Sequence, residues 1–231
     1  VSTEPQRPRR PGRPPKSEAQ DTKGALIEAA LDLFARHGYG GTSVRAIAQA
    51  TGLSESVLYR HFANKQAIFE EVLFQAGVGL FESQRAQVDP ALAAHDPAAF
   101  LRALARNLVT AWTEPRNRLL TSVLVRAIGD SHLQVISTFK TAQEEMSHLI
   151  AHWIGAGLIP PDRGRPDQLA WELFAPAAFV RLLYLHAEAD PDTQRAGHEL
   201  VLAHAEFFIA RVLPTSAKPT AVSTDSGDDH D

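Results

Sequence analysis

Residues 42–65 read TSVRAIAQATGLSESVLYRHFANK, and the spacing within this stretch predicts two short helices joined by a tight turn. Thr42 can cap the first helix, its hydroxyl accepting from an orphan N–H of the opening turn. Val44, Ile47 and Ala48 then recur at helical spacing as one apolar stripe. Gly52, four residues after Ala48, tolerates the positive φ needed where the chain leaves that helix. Leu53 plugs the junction, Ser54 caps the second helix, and Val57 and Leu58 point inward from it. Small, glycine and apolar residues at Ala48, Gly52 and Leu58 match the packing of a helix-turn-helix, whose second helix lies in the DNA major groove. The outward positions of that second helix are Ser54, Glu55, Ser56, Tyr59, Arg60 and His61, side chains suited to base edges and phosphate oxygens. Taken alone, the same pattern also describes a surface helical hairpin that touches no nucleic acid.

The neighbouring residues separate the two readings. An amphipathic helix before the stretch, then Gly38-x-Gly40-Gly41-Thr42-Ser43, Ile47-Ala48, Gly52-Leu53-Ser54, Leu58-Tyr59-x-His61-Phe62 and Lys65, together span about Lys23 to Leu73. This set resembles the signature of the tetracycline-repressor (TetR-like) family of bacterial transcription regulators. The resemblance implies that Tyr59 and Lys65 grip phosphates and that Phe62 locks the recognition helix onto the domain core. It implies that Thr42, Ser43 and Arg45 touch backbone or base edges. It also implies a homodimer whose last two long helices form a four-helix bundle across a two-fold axis, and a small-molecule effector that fills the body and releases DNA. Glu55 and Ser56 depart from the family pattern, which more often has a basic or small residue followed by glycine or a small residue. A carboxylate there suits the helix dipole but repels phosphate, so Glu55 either accepts from a cytosine amine or lies at the groove's rim. That departure bears on operator sequence rather than on DNA binding.

The net charge of −4 looks unsuited to a DNA binder until it is divided. Residues 1–70 hold ten Lys/Arg against seven Asp/Glu, and residues 71–231 hold thirteen against twenty. The basic excess therefore coincides with the helix-turn-helix, and the acidic part would be kept off DNA. The absence of cysteine excludes disulfides, cysteine-ligated zinc and thiol redox sensing. No apolar run approaches a membrane span and no signal peptide is apparent, so the expectation is a cytoplasmic, nucleoid-associated bacterial protein without a membrane partner.

In chain order, residues 1–21 read as a disordered basic arm. Its first sixteen residues hold five basic residues and five prolines, and Pro11-Gly12-Arg13-Pro14 resembles a minor-groove hook. Arg9, Arg10, Arg13 and Lys16 are expected to add salt-dependent affinity for DNA. Residues 22–68 form the three-helix DNA-binding domain, opened by a helix over 22–37 with Leu26, Ile27, Ala30, Leu33, Phe34 and His37 on its packed stripe. Residues 69–213 form a helical effector-binding and dimerisation domain, and 214–231 an acidic disordered tail. The expected helices of the body are one long helix from Lys65 to about Gln84, weakened at Gly77 and Gly79, and one behind the Asp96-Pro97 cap. Another runs from Pro115 to Gly129, another from Asp130 or Ser131 to Trp153, and two more over 167–188 and 192–212. Residues 87–96 and 158–166 read as loops, and Pro176 is expected to kink its helix. The last helix carries apolar side chains over more than half its circumference, which a subunit interface would cover. No strand-type alternation occurs, and the chain reads as all-α.

Phe81, Trp112, Phe139, Trp153, Trp171, Phe174 and Phe179 are the candidate lining of an effector pocket for a small apolar or aromatic molecule. Glu144, His148 and His152 share a helical face at a spacing that could chelate zinc, but polar faces routinely carry such residues, and no metal site is assigned. No motif of a catalytic centre or a cofactor site is present. The chain therefore reads as a ligand-responsive regulator, a repressor, binding a palindromic operator as a homodimer. The alternative is an all-helical small-molecule carrier or enzyme whose DNA-binding head is vestigial.

Overall fold

The computed structural model describes residues 16–130 and 132–214, with side chains for 21–128 and 139–214. Helices make up all the regular structure of the described residues, none of which forms a strand. No helix among them is long and apolar enough to cross a membrane.

Helix α1 (Lys16–Gly41) buries Leu26, Ile27, Ala30, Leu31, Phe34 and Ala35 at helical spacing. It begins six residues before the expected start, because polar helix formers such as Glu18 and Gln20 extend a helix without leaving an apolar period to read. The expected arm thus shortens, and Lys16 becomes a helical residue; Arg9, Arg10 and Arg13 lie outside the described residues, as does the tail beyond 214. Gly38, at φ 70°, breaks the helical path near the end of α1. Tyr39, just beyond this turn, fills the end of the packed stripe, 6.0 Å from Phe34 and 4.8 Å from Phe69 between ring centres. His37, expected on that stripe, is exposed instead.

Helices α2 (Val44–Ala50) and α3 (Glu55–His61) form the predicted pair, with Gly52 at φ 69° in the turn between them. The first cap is Ser43 rather than Thr42. Ser43 Oγ accepts from the Ala46 N–H at 3.1 Å, whereas the Thr42 hydroxyl donates backwards to the Gly38 carbonyl at 2.9 Å. Ser54 caps α3 as expected. Asn64 caps α4 (Lys65–Ala76), and at Gly77 the chain departs from helical geometry before α5 (Val78–Ala86) begins. The single long helix expected from Lys65 is therefore two. Gly79 lets them fold close together, since a Cβ there would stand 2.8 Å from the Phe74 ring.

The expected loop before Asp96 contains a short helix, α6 (Pro90–His95), started by an Asp89-Pro90 cap of the same kind that starts α7 (Pro97–Thr113). Trp153 Nε1 donates to the Ala93 carbonyl at 2.6 Å and fastens α6 to the body. α8 (Pro115–Asp130), α9 (His132–Gly155), a single 3-10 turn (Pro161–Arg163), α10 (Pro166–Tyr184) and α11 (Pro191–Val212) complete the chain. α10 stops four residues before its expected end. Arg118 explains this, donating to the carbonyls of His186, Ala187 and Ala189 at 3.1, 2.7 and 2.9 Å and holding 185–190 in a non-helical path. α10 and α11 cross closely at Gly197, where a Cβ would lie 2.5 Å from that of Tyr184.

Two apolar cores result. One joins α1–α4 to Leu120, Val123, Leu124 and Ala127 of α8; the other holds α5, α7 and α9–α11 together. The division differs from a boundary at residue 68, because α4 belongs with the head and α8 forms its roof. Arg116 reinforces this junction, reaching Glu28 at 2.6 Å and Gln75 at 2.6 Å.

Candidate nucleic-acid interface

The recognition unit is held from behind. Leu58 is fully buried and Phe62 nearly so, and the Phe62 N–H donates to the Leu58 carbonyl at 3.0 Å as the chain turns out of α3. Lys23 stands 5.6 Å from the Phe62 ring centre and pairs with Glu71 at 3.1 Å. With its rear face anchored, α3 presents Glu55, Ser56, Tyr59 and Arg60 outward, preceded by exposed Ser54. Tyr59 is 51% exposed, unusual for a large ring that the core would otherwise attract. His61 is half-buried. Ser43 and Arg45, at the start of α2, are exposed, and neither Arg45 nor Arg60 is drawn into an ion pair among the described residues.

Two of the expected contacts are placed otherwise. Thr42 is 2% exposed, and its hydroxyl and carbonyl are both occupied, so its side chain offers no surface to DNA. Lys65 Nζ donates to the carbonyls of Tyr39 at 2.7 Å and Thr42 at 2.8 Å and lies 4.1 Å from the centre of the Tyr39 ring. Two of its three N–H groups thus fasten the turn that delivers α2. The side chain of Lys16 lies outside the described residues.

The aromatic residues expected to line one pocket divide into two sets. Trp153 is fully buried and packs edge-on against Phe100 at 5.7 Å; Phe81 packs on Phe174 at 5.2 Å, and Trp112 is buried against α10 and α11. Phe139, Trp171, Phe174 and Phe179 line a cleft of about 540 Å³ between α9 and α10, whose walls are otherwise Ala175, Ala178, Leu182 and the polar Lys140 and Gln143. Glu144, His148 and His152 run along the outside of α9, and no group of three metal-ligating side chains is close enough to hold an ion among the described residues.

Sequence reasoning missed Arg181. It interrupts the apolar run of α10 and is 3% exposed. Its Nη1 donates to the Ala76 carbonyl at 2.7 Å and its Nε to Thr121 Oγ1 at 3.0 Å. Burial lowers its pKa to about 9, which leaves it a cation at neutral pH. The signal in the sequence was a lone charge among apolar neighbours, which a buried arginine shares with a solvated one.

Comparison with known proteins agrees with this geometry. The family described as bacterial regulatory proteins, tetR family, matches residues 26–72. The HTH-type transcriptional regulator AcrR of Shigella flexneri is 34% identical over 158 residues, covering 64% of this chain and 71% of that protein. The regulatory protein RaaS of Mycobacterium tuberculosis is 26% identical over 197 residues, covering 83% and 87%. In fold, the chain is similar to SmeT, the repressor of the Stenotrophomonas maltophilia multidrug efflux pump SmeDEF, with a TM-score of 0.68 at 19% identity over 86% of this chain and 94% of that one.

Proposed function

Because the chain belongs to the tetR family of bacterial regulatory proteins and is a transcriptional regulator, we propose that it is a repressor which binds a palindromic operator as a homodimer and is released by a small-molecule effector. The observation that carries DNA reading is the outward face of α3, where Tyr59 and Arg60 are exposed while Leu58 and Phe62 hold the helix from behind. Ser43, Arg45, Ser54, Glu55, Ser56 and His61 surround them and complete the reading surface, with Arg9, Arg10, Arg13 and Lys16 adding a basic arm.

Dimerisation is supported by apolar side chains left in the open on the last two helices. Phe207 is 65% exposed on α11, joined by Leu200 there and by Leu183 on α10. Exposed apolar residues concentrated on two adjacent helices are the surface a symmetric partner covers. Two heads so joined would meet half-sites about one helical turn, ~34 Å, apart or at a related spacing. The effector would enter by the α9–α10 cleft, and the residues for it are Phe139, Trp171, Phe174 and Phe179. Its differential affinity for a dimer that no longer fits the operator would drive release. A regulator of this kind would work in the cytoplasm, on the nucleoid.

Fluorescence anisotropy on a bound duplex tests the assignment of α3. Tyr59→Phe should weaken binding to all sequences alike, as loss of a phosphate contact does. Unchanged affinity in both Tyr59→Phe and Arg60→Ala would remove α3 from the groove.

A further inference from the structure

Helix α8 has two faces with different partners. Leu120, Val123, Leu124 and Ala127 recur at helical spacing and are buried in the core of the head. Arg118, Ser122 and Arg126 follow one another at intervals of four on a second stripe. All three reach the same segment, the turn 185–190 between α10 and α11. Arg118 gathers the carbonyls of His186, Ala187 and Ala189, and Ser122 Oγ accepts from the Ala187 N–H at 3.0 Å. Arg126 lies 3.6 Å from the Glu188 carboxylate. Arg116, two residues before Arg118, reaches the other way, to Glu28 of α1 and Gln75 of α4. α8 is thus a bracket, fixed to the head by one face and to the start of α11 by the other.

The backbone does not supply this stiffness. Between head and body the chain passes through Gly77 (φ −113°, ψ −97°), a non-helical joint between α4 and α5. Buried Arg181 ties α10 back across that joint, to Ala76 and Thr121. The stripe on α8 adds α11. Asp190, at the end of the turn, caps that helix by accepting from the N–H groups of Asp192 and Thr193 at 2.9 Å each. Whatever holds the turn therefore sets where α11 begins, and α11 is the helix that exposes Leu200 and Phe207. The guanidinium of Arg118 is a rigid plane of donors, so three carbonyls gathered on it fix the path of the turn as well as its distance.

Resting on the reading of the chain as a dimer joined through α10 and α11, we propose that Arg118, aided by Ser122 and Arg126, selects the half-site spacing of the operator. Each base pair inserted between half-sites moves them about 3.4 Å apart and turns them by about 35°. A dimer rejects that displacement only if each head is held stiffly to the interface helices. Arg118 is a positioning residue in this scheme, acting on DNA only through the placement of α3.

The test takes the palindromic duplex recovered by selection from a random pool. Anisotropy compares it with the same duplex lengthened or shortened by one or two base pairs at its centre, and with a duplex carrying one half-site. The unaltered chain should prefer the recovered spacing. Arg118→Met should lower the ratio of affinities, recovered over altered spacing, by at least ~5-fold, with affinity for the single half-site and the dimer mass unchanged. Arg118→Lys should restore part of the ratio. If Arg118→Met does not fold, Ser122→Ala with Arg126→Ala, which keeps Arg118, should lower the ratio by a smaller factor. An unaltered chain indifferent to spacing, or equal losses on every duplex in these variants, overturns the bracket. So does a ratio that neither variant moves, and in each case a recovered palindrome leaves the dimeric reader standing. Recovery of no palindrome overturns that reading, and the bracket with it.

Discussion

Lys65, Arg45 and Arg60 are cations of one small domain put to different uses. Lys65 is tied to the carbonyls of Tyr39 and Thr42, so Lys65→Ala should lower unfolding stability by about 2–3 kcal/mol and leave the salt slope of DNA binding as it was. A flattened slope at unchanged stability would return Lys65 to the phosphates. Arg60 has no such tie, and Arg60→Ala should reduce the slope by about one unit without moving the melting temperature. Arg45→Ala should relax sequence preference in a selection experiment, and an unaltered preference would make it a backbone contact. The difference between these cations was not legible in the sequence. The acceptors of Lys65 lie 26 and 23 residues away, and no local spacing reports a carbonyl brought back by a turn. Thr42 misled for a related reason: a hydroxyl before a helix can cap forward or bond backward, and Ser43 next to it held the better position.

Among the elements, those with strong periodicity were legible and those shaped by distant partners were not. The stripes of α1, α7 and α11 appear in the residues, as do the Gly52 turn and the Asp96-Pro97 cap. The early end of α10 does not, because Arg118 of α8 imposes it. α6 was legible in principle, since Asp89-Pro90 repeats the cap that opens α7. Within α10, Pro176 has no N–H to offer the Glu172 carbonyl. His204 of α11 compensates, its Nε2 lying 3.1 Å from the carbonyls of Glu172 and Leu173, to which it donates as the Nε2–H tautomer. His204→Ala should therefore cost about 1–2 kcal/mol, and part of that cost should vanish in a Pro176→Ala background, which restores the helix's own donor. Additive effects in this double-mutant cycle would separate the two residues. Gly197→Ala should destabilise the α10–α11 pair by about 1–3 kcal/mol, because the atom it meets is the Cβ of Tyr184, which cannot rotate away; an unchanged melting temperature would show that the crossing has slack.

The whole molecule divides its charge, with the basic excess in residues 1–70 and the acidic excess in 71–231. That division and the all-α class were legible in the sequence; the α8 roof over the head was not, since it depends on packing between segments far apart in the chain. The apolar surface of α10 and α11 carries a prediction at this scale. Phe207→Asp with Leu183→Asp should give a folded monomer by light scattering that binds operator DNA weakly, whereas a dimer that persists would place the interface elsewhere. The most direct test of the account is selection of bound duplexes from a random DNA pool by the full chain at near-physiological salt. A palindrome should be recovered, its half-sites spaced to suit two copies of α3 on one dimer. Recovery of only salt-sensitive, sequence-blind binding would contradict it.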